Sequence, residues 1–164
     1  MTTANFGPIT DDVPIFGACR PGHLGGDLAA WTDVLSDRGV SAVLCLLSES
    51  EASRWGVPAA YDGTFETAHV PIRDRYLPEV DRLTRAVDIL ESMTAGGHRA
   101  AIHCNAGLGR TGVVAAAWLV RERGLSPTTA LETVESTPWP RSPREAIRDG
   151  NATEAELYDL LGRF

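Results

Sequence analysis

The stretch His103-Cys104-Asn105-Ala106-Gly107-Leu108-Gly109-Arg110-Thr111-Gly112 holds the residues whose types and spacing could do chemistry. An apolar run, Ala100-Ala101-Ile102, enters it and reads as a buried strand, and residues 113–122 leave it as a helix. The intervening loop is made mostly of small residues, so its backbone N–H groups can curl inward into an anion nest at a helix N-terminus, where peptide dipoles also favour negative charge. Cys104 opens this loop and Arg110 closes it. Such a field favours a thiolate over a thiol, and a guanidinium presents a planar fork that matches two phosphate oxygens. A nucleophile, an anion cradle and a bidentate clamp within seven residues suggest attack on a phosphoryl group. Asn105, Ala106, Gly107, Leu108, Gly109 and Arg110 would then bind the phosphate, and Thr111 could hydrogen-bond the thiolate and assist its departure. The bland alternative for Cys104 is a buried structural cysteine, common for this residue type; Cys19 and Cys45 read that way.

A thiolate that displaces an ester oxygen also needs an acid for that oxygen. Asp74 is the candidate: it follows the apolar segment 65–72 and stands 30 residues before Cys104. A solvated loop carboxylate paired with Arg73 or Arg75 is the alternative. Asp62 falls in a turn, and Asp81 and Asp88 lie mostly on the polar side of a helix.

His-Cys, five residues, then Arg-Thr resembles the active-site loop of the protein tyrosine phosphatase superfamily, and the small-residue filling and short chain are most similar to its atypical dual-specificity phosphatases. The resemblance extends more weakly from about Val13 to Leu131. It implies a metal-independent phosphomonoester hydrolase that works through a cysteinyl-phosphate, with no cofactor and no metal ligand. It also implies that Asp74 sits on a mobile acid loop and that His103 bonds nearby backbone and helps hold the cysteine loop. Ser48-Glu49 matches a pair that such enzymes often keep, so Glu49 could orient Arg110. Lysines that meet extra ring phosphates in phosphoinositide phosphatases are missing at Asn105 and Leu108. After Thr137 the chain departs from the family: no Arg-Pro-Gly loop and no Gln occur where these help position substrate or water.

Two other motifs can be set aside. Gly107-Leu108-Gly109-Arg110-Thr111-Gly112 satisfies the dinucleotide fingerprint, but no second strand with a terminal acid follows, since Glu132 lies in a helical pattern. A Walker A loop needs Lys where Arg110 stands.

The positioning elements can be read in order. Residues 5–9 and 13–18 form two short strands about an Asp11-Asp12 turn. Asp27 caps a helix to about Arg38, with Leu28, Trp31, Val34 and Leu35 on one face, and Gly39 ends it. Strand 41–47 is buried on both faces, 48–63 is a loop or short helical segment, and Phe65 to Ile72 forms another strand. Pro78 begins a helix that Gly96-Gly97 stops, strand 99–103 follows, and the helix after the loop is apolar nearly all round. Ser126-Pro127 starts a further helix, and Thr153 with Glu156 has capping-box spacing ahead of a last amphipathic one. This alternation predicts a three-layer α/β/α fold with a central, mostly parallel sheet of about five strands. Ligands then sit beyond the C-terminal strand ends, where the loop after Ile102 falls.

Composition bounds the rest. The 164 residues are expected to form one domain, with 43% hydrophobic and 23% charged residues as in ordinary soluble proteins. No apolar run is long enough for a membrane span, and Met1-Thr2-Thr3-Ala4-Asn5 lacks the start of a signal peptide. Three cysteines without repeating spacing fit a reducing cytoplasm. A net charge of −7 argues against nucleic-acid or anionic-membrane partners. All 15 basic residues are Arg, so most arginines stand where other proteins use Lys. The expected partner is a phosphorylated protein, read by a shallow pocket open to phosphoserine, phosphothreonine and phosphotyrosine. Tyr76 could stack on an aromatic substrate or pack on the following helix. A small phosphomonoester or an RNA 5′ phosphate is the alternative substrate, and a catalytically silent phosphopeptide-binding module the alternative of another class.

Overall fold

A computed structural model describes residues 4–164. Five strands form one sheet in the order β1-β2-β5-β3-β4: β1 Gly7–Pro8, β2 Ile15–Ala18, β3 Val40–Cys45, β4 Glu66–His69 and β5 Arg99–His103. Only β1 runs antiparallel. It joins β2 through the Asp11-Asp12 turn, where Asp12 takes φ 58°, a left-handed conformation that a short polar side chain tolerates. Strand β5 is central. Its last residue, His103, is level with Ala18 on β2 and Cys45 on β3, so three strands end together under the phosphate loop.

Two cores flank the sheet, which makes the predicted three layers. On one face α3 (Val80–Ala95), α4 (Gly109–Arg123), α5 (Pro127–Glu135) and α7 (Glu154–Leu161) bury Leu83, Val87, Leu119, Leu131 and Leu157. On the other, α1 (Leu28–Ser36), α2 (Glu49–Trp55) and a 3₁₀ turn (Ala59–Tyr61) enclose Trp31, Leu35 and Tyr61. A four-residue helix, α6 (Glu145–Arg148), sits at the edge of the first core, with Ala146 buried and Ile147 packed against it.

The capping signals act as expected: Asp27, Ser126 and Thr153 each accept a backbone N–H of the first turn. The predicted strands are longer than the paired ones. Residues 46–47 and 70–72 fall outside the ladders, although Leu46 N still bonds to His103 O at 2.8 Å and Ile72 N to Leu46 O at 3.1 Å. Helix α4 starts at Gly109 rather than Val113, so Arg110 and Thr111 occupy its first turn. Glycine and threonine are poor helix formers, and the apolar pattern begins only at Val113. Among the described residues no helix is long and apolar enough to cross a membrane.

Candidate active site

The loop from Cys104 to Leu108 joins β5 to α4, and its backbone points one way. Gly107 O accepts from Arg141 Nη1 at 2.7 Å, Leu108 O from Ser142 N at 3.1 Å, Ala106 O from Asn5 Nδ2 at 3.0 Å and Asn105 O from Arg20 N at 3.0 Å. Carbonyls turned outward leave the amides turned inward. Among the described residues, no hydrogen bond takes up the N–H groups of Asn105 to Arg110. No side chain caps α4 either, whereas α1, α2, α5 and α7 are all capped. The result is a row of free donors at the positive end of a helix, an arrangement that suits a phosphate. Gly107 makes the curl possible. It takes φ +78°, and a Cβ there would stand 2.4 Å from Ala18 O.

Cys104 lies at the floor of this nest, 3% exposed, and its Sγ accepts from Thr111 Oγ1 at 3.2 Å. His103 is fully buried beneath it; Nδ1 meets Cys104 O at 3.0 Å and Nε2 meets Tyr61 Oη at 2.6 Å. Burial draws the imidazole down to about 4, so it is neutral near neutral pH. Burial also lifts Cys19 and Cys45 to about 11, which keeps both as thiols.

Arg110 is 4% exposed, and its guanidinium is held from three sides. Nη1 and Nη2 donate to Glu51 Oε1 and Oε2 at 2.6 and 3.0 Å, Nη1 also donates to Ile72 O at 3.0 Å, and Nη2 stands 3.1 Å from Asp74 Oδ1. Burial disfavours the charge, but Glu51, Cys104 and Asp74 outweigh it and hold Arg110 charged. For Glu51 burial again works the other way, yet bonds from Arg110 and Ser48 keep the carboxyl below its ordinary range. Cys104, Asn105, Ala106, Gly109, Arg110 and Asp74 line one cleft of about 420 Å³. One thiol, free backbone donors, a fixed guanidinium and an adjacent carboxyl can bind a phosphoryl group, attack it and protonate its leaving oxygen.

The structure corrects one expectation. Glu51, not Glu49, orients Arg110; Glu49 is exposed. Glu51 is the N3 residue of a capping box with Ser48 at the start of α2, which points its carboxylate inward. The spacing Ser48-x-x-Glu51 signals that capping box, though not the contact with Arg110. Arg141 carried no such signal. It is 2% exposed, it binds Gly107 O, Gly17 O and Asn5 O, and burial lowers it to about 10. Of the competing acids, Asp62 accepts from Thr67 and Asp88 pairs with Arg121. Tyr76 carries Arg73 3.8 Å over its ring and lines the neighbouring groove with Leu77 and Pro78.

The family described as "Polymorphic toxin system, DSP-PTPase phosphatase" matches residues 10–124. The chain belongs to these DSP-PTPase phosphatases. The match runs from the β1–β2 turn through α4 and so contains every sequence-predicted site residue. This phosphatase is similar to dual specificity protein phosphatase 12 of Rattus norvegicus, 29% identical over 148 residues, which are 87% of this chain and 41% of the rat protein. It thus spans less than half the length of that curated relative. Among solved structures, Tk-PTP in its active form is similar at a TM-score of 0.67 and 28% identity, over 96% of this chain and 97% of that one. The human tyrosine phosphatase-like serine/threonine/tyrosine-interacting protein shares the fold, with a TM-score of 0.71 at 16% identity over 94% of this chain and 93% of that one.

Proposed function

We propose that this phosphatase, acting as a single cysteine-phosphatase domain, hydrolyses phosphomonoesters on protein side chains, tyrosine and serine or threonine alike. The observation that carries the reading is the row of unbonded N–H groups from Asn105 to Arg110 around Cys104 Sγ. Three phosphate oxygens sit on these donors and on the Arg110 fork. The Cys104 thiolate attacks phosphorus, the ester P–O bond breaks, and Asp74 gives its proton to the departing oxygen. Water then hydrolyses the cysteinyl-phosphate, and Thr111 steadies the thiolate as it leaves. His103 and Arg141 position the loop. The positive field comes from arginine and backbone, so the reaction needs no metal ion.

A cleft of about 420 Å³ that is open to solvent suits a broad reach over phosphorylated side chains. Cys19, Cys45 and Cys104 form no disulfide, which suits a reducing cytoplasm. An aryl phosphate assayed in chelator tests the reaction: wild type turns over fully and Cys104→Ser not at all. Activity lost in chelator and restored by a divalent ion, or a Cys104→Ser variant that keeps more than a trace, contradicts the mechanism. A panel of phosphopeptides, sugar phosphates, nucleotides and 5′-phosphorylated RNA tests the substrate class; activity confined to the non-peptide arms overturns the protein reading.

A further inference from the structure

Two cations stand together at one side of the cleft. Arg20, on the connection between β2 and α1, is fastened to the residue that follows the nucleophile: its N donates to Asn105 O at 3.0 Å and its Nε to Asn105 Oδ1 at 2.8 Å. Nη1 donates to Pro21 O at 2.9 Å, and the guanidinium lies 3.8 Å over the Trp55 ring. Arg54, in the last turn of α2, reaches the same ring at 5.2 Å. The indole and the loop together hold the Arg20 fork in one orientation, and its Nη2 has no hydrogen-bond partner among the described residues. Neither arginine forms an ion pair among those residues. Glu51 is the carboxylate that acts on Arg20, and both its oxygens are committed to Arg110. Burial, and the like charge of Arg54, work against the charge on Arg20, a strain that an anion from outside would relieve.

Resting on the reading above, we propose that Arg20, backed by Arg54, binds a second anionic group of the phosphorylated peptide, a carboxylate or another phosphate beside the scissile one. Asn105 joins the two sites: its N–H belongs to the phosphate nest and its side chain meets Arg20. Successive residues of an extended peptide stand about 3.3 Å apart, so the second anion belongs to a residue next to the phosphorylated one or one beyond it. The rest of the cleft gives such a group no comparable welcome. Asp74, Glu145 and Asp149 line it together with Arg75 and Arg148, a mixture of both signs. His23 lines it beside Arg20, but burial and then Arg20 lower its proton affinity, so the ring is neutral near neutral pH and adds no charge. The net charge of −7 does not draw an acidic peptide from a distance, so its binding rests on a local cluster of this kind.

The test compares phosphotyrosine peptides of one length whose flanking residues are Asp and Glu, Asn and Gln, or phosphoserine. In wild type kcat/KM should be about tenfold higher for the anionic peptides than for the neutral one, and the gap should close as salt is raised. The ratio is taken within each variant, so damage to the fold or the loop, which slows every peptide alike, cancels. Arg20→Gln should bring the ratio to about one, Arg54→Gln should lower it to about threefold, and Arg20→Glu should reverse it. A preference in one anionic arm alone assigns the subsite to that anion. A wild-type ratio near one, or a ratio that Arg20→Gln leaves unchanged, overturns the proposal, while turnover of the peptides keeps the underlying reading intact. Turnover of an aryl phosphate but of no peptide overturns both.

Discussion

Glu51 and Asp74 both reach the Arg110 guanidinium, but from elements of different kinds. Glu51 is built into a helix start. Its Oε1 closes the capping box on Ser48 N at 2.9 Å, both oxygens engage Arg110, and its side chain is 15% exposed. Asp74 sits on a connection between β4 and α3, meets Arg110 at 3.1 Å and the exposed Arg75, at φ 68°, only at 4.0 Å, and is 40% exposed. The first carboxylate cannot leave without undoing a helix cap; the second gives up little by leaving. One residue type of chemistry thus serves two purposes. A firmly held partner fixes the guanidinium fork, and under the proposed mechanism the loosely held one serves the ester oxygen.

Breaking the rigid partner should have the largest effect. Glu51→Ala strands a buried guanidinium and frees it to turn, so kcat/KM should fall roughly 10³-fold, at the upper end for loss of a preorganised charge-stabilising group. The loss should be the same for aryl and alkyl phosphates, with weaker competitive inhibition by inorganic phosphate. A loss that tracks the leaving group would place Glu51 in proton transfer and erase the distinction.

Removing the loosely held partner should give a smaller and selective effect. Asp74→Asn should cost about 10²-fold on alkyl phosphates, whose oxygen needs a proton to depart, and much less on phosphates of acidic phenols. Steady-state rates across a leaving-group series provide the check. A uniform loss across the series means Asp74 only supports Arg110, as Glu51 does.

The smallest effect lies at the other end of the loop, where the anchor is neutral rather than ionic. The unfolded chain protonates His103 below its ordinary value near 6.5, while the folded site resists until about 4. The unfolded state therefore binds more protons in that window, and stability drops as pH falls from about 6.5 to 4, by up to roughly 3 kcal/mol from this group. Above 6.5 it contributes no slope. Following the imidazole by NMR should show no titration between pH 6 and 8; a midpoint in that range would mean that the Tyr61 and Cys104 contacts hold a charged ring.

How far the sequence could be read follows the same division. What depends on neighbours in the chain was legible: the Cys104–Arg110 spacing, the caps at Asp27, Ser126 and Thr153, and the alternation that makes a parallel sheet. What depends on distant neighbours was not. Glu51 meets Arg110 across 59 residues, and its capping-box spacing announced a helix start rather than a site. Arg141 crosses from a Pro-rich segment to Gly107 and Gly17, and in a chain whose basic residues are all Arg nothing set it apart. The start of α4 is hidden in the sequence because Gly109 and Gly112 interrupt the apolar period, although the loop needs them small: a Cβ at Gly112 would stand 2.9 Å from Pro143 N.

The central claim is that Cys104 carries the phosphoryl group between substrate and water. Rapid acid quench with a radiolabelled phosphomonoester, followed by peptide mapping, tests it most directly. The account predicts label on Cys104 in wild type and none in Cys104→Ser. Turnover with no labelled protein at any quench time, or label on another residue, would contradict it.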